Sequence, residues 1–227
     1  MNKQITVEAK PYEFKFNLDE VALFIIDMQT EFLYEGGFGS LLGNDMSVIR
    51  ESIEPTKKIL EFWREKGLFV LHAREGLRPD LTDLTETKYR RSERSGAALG
   101  SQGPMGRLLV RGEKGHDIIP ELYPIFGEPI IDKPGNGAFY ATDLELILRN
   151  KNIKSLIITG ITTHVCVEST IREAKDRGYE VLLLEDCTSA FDRQDKENTL
   201  WNIQQQGAIF GWVSDSIKLM KAFDSNL

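Results

Sequence analysis

The stretch ITGITTHVCVEST, residues 158–170, begins as an apolar strand and ends as the first turn of a helix. Two threonines, a histidine and one of only two cysteines fill the turn between them. The strand half, SLIITG (155–160), has counterparts along the chain in VALFIID (21–27), LFVLHA (68–73), PIID (129–132), YEVLLLED (179–186) and AIFGW (208–212). Most of these runs are apolar throughout instead of alternating, as parallel strands buried on both faces are. Helical patterns lie between many of them. MSVIRESIEPTKKILEFWREKG places Ile49, Ile53, Ile59, Leu60 and Trp63 on one stripe, with Gly67 as its stop. TDLELILRN opens with Thr142 and Asp143 as a cap; VCVESTIREAKDRG is amphipathic to Gly178, and DKENTLWNIQQQG ends at Gly207. Strands alternating with helices predict βαβ units and an α/β fold, a parallel sheet covered on both sides.

One region departs from this rhythm. Residues 74–128 carry LRPDLTDL, KYRRSERSG, GSQGPMGR and VRGEKG, polar segments rich in Gly and Arg. A long excursion in a compact domain is usually functional or disordered. Here it reads as one excursion over the sheet with short helical pieces, a lid or an oligomer arm, so that residues 1–227 form a single domain.

Composition narrows the function. At 227 residues the chain can bury a sizeable core, and its net charge of -7 argues against broad nucleic-acid or anionic-membrane binding, which needs a basic face. Cys166 and Cys187 are too few for a disulfide framework and read as reduced thiols. The N-terminal MNKQITVEAKPYEF has no apolar signal core, and no apolar run reaches spanning length. A cytoplasmic location is the expectation.

Three residues share one kind of place, the carboxyl end of a strand, where open α/β sheets bind ligands. Asp27 ends VALFIID, and a partly desolvated carboxylate there can hold a proton or a cation, or simply cap a turn. Lys133 follows PIID; its ammonium can lower the pKa of a nearby thiol. Cys166 opens a helix, whose free N–H groups and dipole favour a thiolate and an oxyanion. A buried small hydrophobe is the alternative for Cys166 and the better reading of Cys187. Nucleophile, base and charge partner together make an acyl-transfer site of unusual membership. His72, His116 and His164 show no paired spacing with carboxylates, a CxxC pair is absent, and the glycines of GSQGPMG and KPGNG do not form GxGxxG. No metal and no cofactor are therefore expected.

At these residues the sequence resembles the isochorismatase-like superfamily of cysteine hydrolases. LFIIDMQTEF, IIDKPGNGAFYATDLELILRNKNI and TGITTHVCVESTIREAKDRGYEVLLLEDCTSAF carry the resemblance, which runs from about residue 18 to 222. It implies a three-layer α/β/α Rossmann-like fold around a six-stranded parallel sheet. It implies Asp27, Lys133 and Cys166 as a catalytic triad, and a cis peptide before the cysteine at Ile161–Thr162. The N–H groups of Thr162 and Cys166 would then form the oxyanion hole. Nicotinamidases of this superfamily add an Asp/His/His metal site, for which this chain has no histidine pair after its second strand.

Within the superfamily, REGLRPDLTDL, GSQGPMGRLLVRGEKGHDIIPEL and DKPGNGAF resemble biuret hydrolases. These imply an amidohydrolase that converts biuret to allophanate and ammonia through a thioester. Triuret, ureidoacrylate or an N-carbamoyl amino acid are the alternative substrates, and a non-catalytic binding or scaffold protein the alternative of another class. Ureidoacrylate amidohydrolases share TGI, NVCVEST and FGWVSD-like segments but differ in the excursion. Gln206 matches a glutamine that contacts substrate in biuret hydrolases; Phe32 would wall the pocket, and Arg74 or Arg107 would reach it. His164 stands where biuret hydrolases usually carry an acidic residue. Family habit implies a homotetramer whose only other partner is the small ureide.

Overall fold

The computed structural model describes residues 3–226. Its ten strands are β1 (Gln4–Val7), β2 (Phe14–Asn17), β3 (Val21–Ile26), β4 (Phe69–Glu75), β5 (Gln102–Gly103), β6 (Gly106–Arg107), β7 (Ile130–Lys133), β8 (Ser155–Ile161), β9 (Glu180–Ser189) and β10 (Trp212–Ser214). Six of them form a sheet in the order β10-β9-β8-β3-β4-β7, and every pairing in it is parallel.

Side-chain alternation splits this sheet into two cores. Val21, Leu23 and Ile25 of β3 join one cluster, while Ala22, Phe24 and Ile26 join the other. The first face is covered by the helices Ile53–Glu65 and Ser216–Asn226, through Ile59, Leu60, Trp63, Leu219 and Phe223. The second is covered by the helices Leu144–Asn150, Glu168–Asp176 and Arg193–Ala208, through Leu144, Leu148, Ile171, Ala174 and Ile203. This is the three-layer α/β/α arrangement. No helix among the described residues is long and apolar enough to cross a membrane.

Local differences from the sequence reading have physical causes. The stripe beginning at Met46 is two helices, Met46–Arg50 and Ile53–Glu65. Pro55 explains the break, since in a continuous helix its ring would clash with the carbonyl four residues back. The last strand starts at Trp212 and not at Ala208, because Ala208 (φ 65°) and Gly211 (φ 153°) hold left-handed backbone. β1 and β2 form an antiparallel hairpin that covers the β10 edge, with Lys10 and Val213 exchanging backbone bonds of 2.8 and 3.0 Å.

The excursion after β4 is folded against the body. It holds the helix Glu86–Arg94 and the β5–β6 hairpin. Leu77, Leu99 and Leu109 form its own small core, packed against Phe32 and Phe38. The chain runs outward from β3 to β4 and β7, then returns to β8 on the opposite side of β3. The reversal lies between β3 and β8, and ligand crevices open at such a point beyond the carboxyl ends of the strands.

Candidate active site

Four adjacent strands, β8, β3, β4 and β7, each deliver a polar group to this crevice. Asp27 follows β3 with φ 53°, a left-handed conformation unusual for a residue other than glycine. Lys133 and Glu75 close β7 and β4 and are register partners. Cys166 lies in the turn after β8, within a π-helical segment Thr163–Val167. Val165 and Val167 both donate to the Thr162 carbonyl, at 3.1 and 3.3 Å, on either side of the cysteine. Single π-turns of this kind often mark functional sites. The peptide bond Ile161–Thr162 is cis.

Lys133 Nζ is 2.8 Å from Asp27 Oδ2 and 3.7 Å from Glu75 Oε2. It also donates to the Gly135 carbonyl at 3.0 Å. Cys166 Sγ donates to Glu75 Oε2 at 3.4 Å. Asp27 and Lys133 are fully buried, and Cys166 and Glu75 nearly so. Supporting bonds fix the frame. Gln29, buried two residues after Asp27, accepts from Glu75 N (2.7 Å) and donates to the carbonyls of Glu75 (2.9 Å) and His116 (2.7 Å). Thr170 Oγ1 donates to the Cys166 carbonyl (2.7 Å) and accepts from Ala138 N (3.1 Å), tying the loop after Lys133 to the cysteine helix.

The electrostatics follow from burial and these neighbours. Burial pushes Asp27 up to about 6; Lys133 pulls it back and Glu75 adds to the rise. Burial also opposes ionisation of Glu75, but Lys133 and Lys88 outweigh it and hold the carboxyl below its usual range. Lys133 is held firmly protonated, since Asp27, Cys166 and Glu75 override its desolvation. Burial and the Asp27 carboxylate drive the Cys166 thiol well above its usual value, and Lys133 offsets only part of this. The expected net lowering of the thiol by Lys133 is thus reversed, because burial and two neighbouring carboxylates outweigh it. At rest the sulfur keeps its proton beside Asp27, a carboxylate poised near neutrality to accept it.

Asp27, Glu75 and Cys166 line a cavity of about 210 Å³, with Phe32, Phe38, Leu42, Leu99, Leu109 and Phe191 as apolar walls and Lys88, Arg91, Asn136, Thr162 and His164 among its polar lining. One oxygen or sulfur of Asp27, Glu75 and Cys166 each lie within 4.8 Å of one another, a spacing that suits a metal ion. The Lys133 ammonium already sits among them and supplies the positive charge a metal would.

Phe32 is brought to the cavity; Arg74, Arg107 and Gln206 are not. Strand alternation that turns Glu75 inward turns Arg74 the other way, onto Asp132 (2.6 Å) and Asp117 (2.8 Å). Arg107 braces the excursion through Glu113 (2.8 Å) and the Pro79 carbonyl (2.8 Å). Gln206 lines a separate surface groove with Trp201, Asn202 and Phe210. The helix that begins at Arg193 meets the cysteine turn at its start, where Asp195 lies 3.6 Å from His164; it runs about 16 Å along its axis to Gln204, and Gln206 lies in the kink beyond, at φ 51°. Sequence reasoning missed Glu75 and Lys88. The signal for Glu75 was its place at a strand end, opposite Lys133.

The sequence of residues 21–216 matches the model of the isochorismatase domain family. The chain belongs to the isochorismatase family. It is similar to ureidoacrylate amidohydrolase RutB of Cronobacter sakazakii, 32% identical over 215 residues that cover 93% of this chain and 91% of that protein. The namesake from Methylorubrum extorquens is 32% identical over 226 residues, 98% of this chain and 90% of its own. Among solved structures, a cysteine hydrolase from Pseudomonas syringae superposes with a TM-score of 0.77 at 24% identity, covering 93% of this chain and 96% of that one. N-carbamoylsarcosine amidase from Thermoplasma acidophilum gives 0.65 at 23% identity, with 87% and 96% covered. Both structures share the fold of this isochorismatase-family hydrolase.

Proposed function

We propose that this isochorismatase-family hydrolase is a cysteine amidohydrolase that cleaves the carbamoyl C–N bond of a small linear ureide through a thioester. The observation that carries the reading is the convergence of Asp27 and Cys166 on one small cavity, with the buried Lys133 ammonium 2.8 Å from Asp27. The similarity to ureidoacrylate amidohydrolases supports a carbamoyl substrate. The excursion motifs support biuret, and both compounds present the same terminal group, a carbonyl carbon bearing NH2.

As Sγ attacks that carbon, the thiol proton passes to Asp27, whose pKa near 6 suits a base working close to neutrality. Lys133 balances the charge. The oxyanion is received by the N–H groups of Thr162 and Cys166. The C–N bond then breaks, and Asp27 returns the proton to the departing nitrogen. Water attacks the thioester and gives one proton to Asp27; the C–S bond breaks, and that proton restores the thiol. From biuret the leaving group is ammonia and the product allophanate. From ureidoacrylate the leaving group is the enamine nitrogen, and the carbamate released breaks down to ammonia and carbon dioxide.

Ammonia release reads both reactions. The test is its rate from biuret, triuret, ureidoacrylate and nicotinamide, with Cys166→Ser as control. Cleavage of a ureide, abolished in the variant and absent with nicotinamide, is expected. Silence across the panel, or an active Cys166→Ser enzyme, overturns the proposal.

A further inference from the structure

We propose that Glu75 is the residue that recognises the carbamoyl amino group: its carboxylate accepts an N–H of the NH2 on the carbon under attack and so turns that carbon toward Cys166 Sγ. The inference rests on the ureide-hydrolase reading above and assigns a role outside the Asp–Lys–Cys set.

Glu75 is built in from several sides. Its backbone is clamped in both directions by the Gln29 side chain. Its Oε1 is held at 2.6 Å by Lys88, which itself donates to the Pro134 carbonyl at 2.6 Å. That leaves Oε2 as the oxygen facing the nucleophile, 3.4 Å from Sγ. A thiol is a weak donor, and it ceases to donate once its proton has gone to Asp27. A carboxylate oxygen has two lone pairs, so Oε2 accepts the substrate N–H beside the thiol in the bound state and holds it more strongly once the thiol proton has gone.

Need and supply match. A planar ureide has little apolar area and several N–H donors, each of which must find an acceptor when buried. Asp27 and Glu75 are the two carboxylates lining the cavity, whose walls are largely apolar. Asp27 is committed to proton transfer. An attacked carbon stands about 3–3.5 Å from the nucleophile in a near-attack pose. Its amino nitrogen, one bond further on, falls within hydrogen-bond reach of an oxygen that itself lies 3.4 Å from the sulfur. Environments that push two carboxylates apart divide acid–base work from binding, and here Asp27 is raised while Glu75 is lowered.

The test is steady-state kinetics on whichever ureide the panel shows to be cleaved, with wild type, Glu75→Gln and the double variant Glu75→Gln/Lys88→Met, which removes the ammonium that the single variant strands. Thermal melts accompany each. A charge-assisted hydrogen bond is worth about 10- to 100-fold in affinity. KM is expected to rise by that factor in both variants, and the acid limb of kcat/KM to move to lower pH, since a negative charge beside Asp27 has gone. Kinetics within twofold of wild type overturn the proposal. So does a loss of kcat at unchanged KM with no acid limb, which would make Glu75 the proton acceptor.

Failure of the underlying reading shows elsewhere, in a wild-type enzyme silent on every carbamoyl compound.

Discussion

Replacing Lys133 by Met removes one charge from a buried cluster while roughly keeping its volume. Lys133 Nζ lies 2.8 Å from Asp27 Oδ2, and neither residue is exposed. Two unit charges at that distance attract by about 6 kcal/mol at an effective dielectric of about 20. Desolvation of the ammonium offsets part of this, and removing one partner of a buried pair ordinarily costs about 3–5 kcal/mol. The lower figure, expressed on Asp27, is a rise of about two pKa units. Asp27 would move from about 6 to about 8. Near pH 7 the ionised fraction of the base then drops about tenfold, and kcat/KM falls at least as far, because the thiolate also loses its counter-charge. Activity should recover as the pH is raised toward about 9. The stability sign follows from the same shift. A carboxyl whose folded pKa is raised adds no penalty below its unfolded value of 3.8. The penalty grows as pH rises and is complete above the folded pKa. The variant should therefore melt closest to wild type in acid and furthest from it above about pH 8. The assay is the pH profile of kcat/KM with parallel melting curves. An acid limb still near 6 in Lys133→Met would refute the electrostatic account.

Two further outcomes follow. Arg91 stands at the cavity lining beside Lys88, so Arg91→Ala should lower the ratio of kcat/KM for ureidoacrylate over biuret by about fivefold, the worth of a partly screened charge pair; an unchanged ratio would remove Arg91 from substrate selection. Gly160 holds φ +112° in β8, where an added Cβ would strike the Ile26 carbonyl of β3, so Gly160→Ala should lower the melting temperature by about 6–12 °C; a melt within a degree or two of wild type would contradict that packing.

Much of this architecture is legible in the sequence because parallel strands buried on both faces announce themselves. VALFII and SLIITGI are buried at every position. Strand ends also locate candidate chemistry, so Asp27, Lys133 and Cys166 can be named before any coordinates. What stays hidden is which way a strand-end side chain turns. In HARE the arginine draws attention, yet one step of alternation sends Arg74 to Asp132 and gives Glu75 to the sulfur. Gln206 illustrates a different limit. A local match says nothing of which end of a helix meets the site, and here Asp195 and Thr199, near the start, face the cysteine turn. The run AIFGW reads as strand by composition, but left-handed backbone at Ala208 delays the strand to Trp212.

The most direct test of the central claim is acid quenching of the enzyme during turnover of a cleaved ureide, followed by peptide mass spectrometry. The account predicts an acyl adduct on the peptide that carries Cys166, absent from Cys187 and lost in Cys166→Ser. Turnover without any adduct on Cys166, or unimpaired turnover in the serine variant, would contradict it.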